Sequence, residues 1–136
     1  MTLQEHIERF LNGDRFAVVG ASQDRDKYGN KVLRCYQQHQ RTVVPVNPRA
    51  EQIEGLDAFA QLSDIPEPVH GVSIITPPAV TRRVVEQAAQ LGIRHLWMQP
   101  GAEDESAVAW ARQHDMEVIA GDACLLVVLG YHESAD

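Results

Sequence analysis

Phe16-Ala17-Val18-Val19-Gly20-Ala21-Ser22 opens on four apolar residues without alternation, then breaks at a glycine and two small residues. A continuous apolar run that stops at a turn signal predicts a strand buried on both faces. Downstream, Val32, Leu33, Cys35 and Tyr36 form the apolar stripe of a helix, and Thr42-Val43-Val44-Pro45-Val46 predicts a second strand. Pro45 cannot donate to a ladder, which weakens the pairing expected of that strand. Upstream, residues 1–16 carry charges throughout and read as a short amphipathic helix.

The same alternation continues to the end of the chain. Val72-Ser73-Ile74-Ile75 predicts a third strand, followed by a helix with Val80, Val84, Ala88 and Leu91 on one face. Thr76 suits its N-cap, Pro77 its first position and Gly92 its stop. His95-Leu96-Trp97-Met98 predicts a fourth strand, broken by Pro100-Gly101. Glu103, Asp104 and Glu105 then open a helix, where acids complement the positive end of its dipole. Glu117-Val118-Ile119 predicts a fifth strand, and Leu125 to Leu129 is apolar without declaring a type. Strands alternating with helices, the strands apolar on both sides, predict an α/β fold. The expected architecture is a Rossmann-like parallel sheet of about five strands with helices on both faces, a single domain over residues 1–136.

The totals narrow the function classes. A chain of 136 residues with 44% hydrophobic and 23% charged residues is ordinary for a globular domain that folds without staples. Its net charge of -7 argues against a broad nucleic-acid surface. Its two cysteines, Cys35 and Cys124, form neither a disulfide framework nor a CxxC metal pair. No signal-peptide h-region and no apolar run near ~20 residues occurs, so no membrane association and a cytoplasmic location are the expectation. Base rates alone make a homodimer the default assembly.

Charge is unevenly spread. Residues 25–49 hold Arg25, Lys27, Lys31, Arg34, Arg41 and Arg49 against one acid, Asp26. They form either a solvated helix face or a compact anion pocket. Ligands of open parallel sheets bind outside the carboxyl ends of the strands, which selects four segments: Gly20-Ala21-Ser22, Asn47-Pro48-Arg49, Thr76-Pro77-Pro78 and Gln99-Pro100-Gly101. Small residues at the first let backbone amides approach an anion, helped by the start of the next helix. The glycine spacing departs from G-x-G-x-x-G, because the next glycine is Gly29, and Arg25, Lys27 and Tyr28 fill the intervening loop. At the second segment, NAD-binding domains place a carboxylate on the ribose. Here Asn47 and Arg49 stand instead, and an arginine fork suits an added phosphate. That points to NADP, with its 2′-phosphate, or to coenzyme A, with its 3′-phosphate; a plain turn with a solvated Arg49 is the alternative.

Catalytic constellations are absent from the sequence. The six histidines are scattered, and neither H-E-x-x-H nor G-x-S-x-G occurs. Cys124, near a strand end, is the candidate for a reactive thiol, but a buried structural cysteine is the better reading of it.

The order V-V-G-A-S, V-N-P, T-P-P, Q-P-G-A and a final G-x-x-C resembles the coenzyme A-binding family. That domain type opens the succinyl-CoA synthetase alpha subunit and also occurs as small free-standing proteins. The similarity spans about residues 12–130. It implies that Gly20, Ala21, Ser22 and the basic loop through Arg25, Lys27, Tyr28 and Gly29 hold phosphates. Asn47, Pro48 and Arg49 would lie by the adenosine and its 3′-phosphate, Thr76 and Pro77 along the nucleotide or pantetheine, and Gln99, Pro100 and Gly101 near its reactive end. The chain departs from the synthetase in having a glycine-poorer first loop and no second domain with a phosphorylated histidine, so synthetase activity does not carry over. The expectation is a non-catalytic module binding free or acylated coenzyme A, sensing it or delivering it to an enzyme partner. An NADP-dependent oxidoreductase and an interaction scaffold that has lost its ligand are the alternatives.

Overall fold

The computed structural model describes residues 1–133. In chain order the elements are α1 (Leu3–Leu11), β1 (Arg15–Val19), α2 (Tyr28–Gln38), β2 (Thr42–Val46), β3 (Gln52–Ile53), β4 (Leu56–Asp57), a 3-10 turn (Leu62–Asp64), β5 (Gly71–Ile74), α3 (Pro78–Gln90), β6 (His95–Met98), α4 (Glu105–Gln113), β7 (Glu117–Ile119) and α5 (Leu125–Leu129). Five strands make one parallel sheet in the order β2-β1-β5-β6-β7, and β3 and β4 pair as a separate antiparallel hairpin. The Rossmann-like α/β fold expected from the strand pattern is present.

The core explains why the strands read as apolar runs. One layer joins Val72, Ile74, Leu96 and Met98 to the inner faces of α3 and α4. The other joins Phe16, Val18 and Trp97 to α1, α2 and α5. Both faces of the sheet are therefore covered, and neither has a position for solvent-facing alternation. Pro45 is tolerated because β2 is an edge strand. The undeclared 125–129 segment is a short helix whose Leu125 is buried in the α2 layer.

Helix starts are partly corrected. Asp104 caps α4, accepting from the Ala107 N–H at 2.9 Å. For α3 the N-cap is Pro77 and the first helical position is Pro78, one residue later than the Thr76/Pro77 expectation. The reason lies in the second proline. A residue preceding proline is pushed out of the helical region, and Pro77 sits at ψ 145°. The buried face of α3 is Thr81, Val84, Val85 and Ala88, while Leu91 is exposed.

At the amino edge of the sheet, Glu117 on β7 accepts two hydrogen bonds from Arg9, at 2.6 and 3.0 Å, tying α1 down. The His95 ring stacks on His70 with centroids 4.3 Å apart. Burial, then the neighbouring His70, holds the His95 imidazole below its ordinary value, against the opposing pull of Glu117. The unfolded chain takes up this proton at about pH 6.5, where the fold still resists it. His95 thus supports folding above that pH, and the support is lost as pH falls through the lowered value. The melting temperature is expected to fall between about pH 7.5 and about pH 5.5, and to fall less steeply in His95→Gln. Parallel slopes for the two proteins in calorimetry would assign the pH dependence elsewhere.

Candidate functional site

The chain moves outward from β1 to β2 and then returns to β5 on the other side of β1. The carboxyl ends of β1 and β5 therefore diverge into connections on opposite faces, the geometry that opens a crevice. A cleft of about 1060 Å³ lies there, at the upper end for small-molecule sites. Its floor is Val19, Gly20, Ala21 and Ile75. One wall is Lys27, Tyr28 and Gly29 at the start of α2 with Asn47, Pro48 and Arg49 after β2. The other is Thr76, Pro77, Val80, Arg83, Val84 and Gln87, completed by Ala60 and Gln61.

The floor is shaped by two glycines. Gly20 has φ +94°, and a Cβ there would overlap the Ile75 carbonyl. A Cβ on Gly29 would overlap the Gly20 carbonyl, so α2 starts hard against the strand-end turn. Lys27 is the N-cap of α2 but makes no side-chain cap. At the start of α2 the Lys27 N–H bonds the Asp24 carbonyl and the Asn30 N–H bonds the Lys27 carbonyl, both at 3.1 Å. This leaves the N–H groups of Tyr28 and Gly29, with no intrahelical acceptor at that position, and the helix dipole as a start suited to an anion.

Loop 23–27 is held from above by the β3–β4 hairpin. Arg25 donates to both oxygens of Glu54, at 3.1 and 2.7 Å, and Gln23 donates to the Gln52 carbonyl at 2.9 Å. Asn30, fully buried, donates to Glu54 and to the Ser22 carbonyl, both at 2.9 Å, and accepts from Arg34 at 2.6 Å. The Arg25 guanidinium, hydrogen-bonded to Glu54, holds that carboxyl below the usual carboxylate range, with Asn30 adding to the effect against partial burial. Asn47 donates to the Ala21 carbonyl at 2.8 Å and accepts from the Arg49 N–H at 2.7 Å. Both ends of its amide are thereby engaged, and Asn47 positions the first turn against the second.

The basic stretch 25–49 thus divides. Arg25 pairs with Glu54, Lys31 and Arg34 reach Glu133, and Arg41 donates to the Leu11 carbonyl. Only Lys27 and Arg49 of the six line the cleft. This corrects both alternatives offered by the sequence, because most of the cluster is structural wiring rather than solvated face or anion pocket. Arg25 steadies the loop and does not line the cleft. Gln99, Pro100 and Gly101 share the sheet edge but stand outside the cleft as well. Gln99 is buried, donating to Cys124 Sγ at 2.9 Å and accepting from the Leu125 N–H at 3.1 Å, and the Gly101 N–H bonds Glu103. Thr76 does line it, although its hydroxyl pairs with Thr81 at 2.8 Å.

Arg83, Gln61 and Gln87 are cleft residues that the sequence reading missed. A signal existed for Arg83, a cation at helical spacing inside the Val80/Val84 stripe of a helix starting at the ligand edge. Neither cysteine lines the cleft. Burial pushes the Cys35 thiol up to about 11, so it stays protonated near neutrality, and Cys124 is half-buried at the start of α5. Among the described residues no group of three or more His, Cys, Asp or Glu side chains could hold a metal ion. No helix among them is long and apolar enough to cross a membrane.

Comparison with known proteins agrees with this architecture. The alpha subunit of ADP-forming acetate–CoA ligase II from Pyrococcus furiosus is 29% identical over 89 residues, 65% of this chain but 20% of the subunit. The chain therefore spans about one fifth of that relative. The uncharacterized protein YneT of Bacillus subtilis is 27% identical over 113 residues, 83% of each chain. The structure of a conserved hypothetical protein from Pyrococcus furiosus superimposes with a TM-score of 0.80 at 34% identity, covering 85% of this chain and 99% of that one. The sequence model of the CoA binding domain matches residues 14–130, and with the cleft at the switch point of a parallel sheet the chain belongs to the CoA binding domain family.

Proposed function

We propose that the cleft binds coenzyme A, free or acylated, by its 3′-phosphorylated adenosine diphosphate end. One observation carries this reading. In a protein of net charge -7, the cleft lining holds three cations, Lys27, Arg49 and Arg83, and no carboxylate. A carboxylate on the ribose is what an NAD site would supply. The diphosphate would lie over Gly20–Ser22 against the start of α2, where Gly20 and Gly29 leave the backbone bare. The adenosine would lie between the Asn47–Arg49 turn and α3, its base against Val80 and Val84, with Arg49 on the 3′-phosphate.

The lining side chains include no imidazole, thiol or carboxylate. They offer no proton acceptor with an ordinary value near neutrality, where general bases work best. This supports a holding role, the carrier being sensed or presented to a partner enzyme. NADP is the second reading, favoured by the same Arg49, since a 2′-phosphate would meet it from the neighbouring ribose carbon.

A melting-temperature panel of CoA, acetyl-CoA, NADP, NAD and ATP tests the reading. At about a hundredfold excess over Kd, CoA is expected to raise the transition by roughly 8 °C, and NAD by much less. A larger shift with NAD than with CoA would sink it, and a larger shift with NADP would favour the second reading.

A further inference from the structure

Twelve side chains of the protein are lysine or arginine. Among the described residues eight of them have side-chain partners: Arg9, Arg15, Arg25, Lys31, Arg34, Arg41, Arg82 and Arg94. Of the remaining four, Arg112 lies on α4 and the other three line the cleft. Lys27 stands at the start of α2 and Arg49 on the turn after β2. Arg83 alone comes from the opposite wall.

Val80, Arg83, Val84 and Gln87 recur at the spacing of one helical face, and all four line the cleft. Arg83 is the single charge in that stripe, exposed beside the buried Val84. A cation within an apolar wall, unmatched by any acid in the cleft, is complementary to an anion carried by the ligand. Lys27 and the first turn of α2 serve the diphosphate. That leaves one phosphate and two guanidiniums, on walls either side of the β1–β5 seam. A phosphate monoester presents three acceptor oxygens and close to two negative charges. One arginine fork takes two of the oxygens, and a second guanidinium from the facing wall takes the third and neutralises the remaining charge.

We propose that Arg83 is a specificity-determining residue of the cleft, closing with Arg49 on the ribose 3′-phosphate from opposite walls. The proposal rests on the adenosine placement above and adds what the site rejects, an adenosine lacking the 3′-phosphate. A carrier is then recognised by its 3′-phosphoadenosine end whatever acyl group it bears.

Titration calorimetry on the full chain with CoA and with dephospho-CoA tests this in the wild type, Arg83→Ala and Arg83→Lys. Arg83 is exposed, so the variants should melt with the wild type in the absence of ligand. Arg83→Ala is expected to weaken CoA about tenfold and leave dephospho-CoA within about twofold. Arg83→Lys, a point charge without the fork, should fall between them for CoA. Equal losses for both ligands would overturn the assignment and place Arg83 on the base or diphosphate, and no loss for CoA would remove it from the site. A wild type that binds CoA and dephospho-CoA alike would overturn the discrimination while retaining the cleft. A wild type that binds neither would overturn the cleft reading and this proposal with it.

Discussion

Gly29→Ala is expected to abolish CoA binding and to destabilise the fold by ~2 kcal/mol or more. The direction runs against helix propensity, which by itself favours alanine over glycine within a helix by about 1 kcal/mol. Gly29 is the second residue of α2, where alanine would ordinarily be welcome. The added methyl, however, falls on the Gly20 carbonyl oxygen. That oxygen cannot retreat, because the Gly20 N–H bonds the Val46 carbonyl at 3.3 Å and the residue leaves a buried strand. Either α2 lifts from the sheet, pulling Val32, Leu33 and Tyr36 out of a close-packed layer, or the turn opens and its amides leave the anion site. Both routes destroy the cleft floor. Chemical denaturation and calorimetry read the two effects separately. A Gly29→Ala protein with wild-type stability and CoA affinity would show that strand end and helix start are not in contact as described.

Arg49→Ala is expected to leave the fold unchanged and to cut CoA affinity between about tenfold and about a hundredfold, with dephospho-CoA little affected. A hydrogen bond to a charged group contributes roughly 1.5–3 kcal/mol, which converts to that range. The fold should not respond, because Arg49 is exposed and its side chain has no partner among the described residues. The backbone of the turn is set independently, by Asn47 accepting from the Arg49 N–H. The loss should shrink as salt is raised, since an exposed charge pair is screened over about 10 Å at 0.1 M. Titration with both ligands at two salt concentrations checks it. Equal losses for CoA and dephospho-CoA would move Arg49 off the 3′-phosphate.

How far the cleft was legible follows from which interactions are local. Gly20-Ala21-Ser22, Asn47-Pro48-Arg49 and Thr76-Pro77 all line the cleft, and their place is legible because the carboxyl edge of a parallel sheet follows from the strand pattern alone. Lys27, Tyr28 and Gly29 came with the first turn for the same reason. The pairing of Arg25 is not legible in sequence, because its partner, Glu54, lies in a hairpin twenty-nine positions on, and no periodicity links the two. Asn47 lines the cleft, yet both ends of its amide are engaged by Ala21 and Arg49. Sequence position does not reveal which of an amide's bonds are already made.

What the sequence determined by itself is the layered α/β architecture, the order of strands and helices along the chain and the edge at which the cleft opens. These follow from short-range rules. Apolar runs must be covered on both faces, and small residues at strand ends admit backbone to an anion. The tertiary structure decided which charges remain for a ligand. Lys31, Arg34 and Arg41 are as basic as Lys27 and Arg49, and all five fall within one short stretch. The first three are spent on Glu133, Asn30 and the Leu11 carbonyl, whereas Arg83, far along the chain, lines the cleft without a partner among the described residues. A charge is available for binding only if the fold brings it no closer counter-charge or carbonyl, and that is a property of folded distances rather than of spacing along the chain.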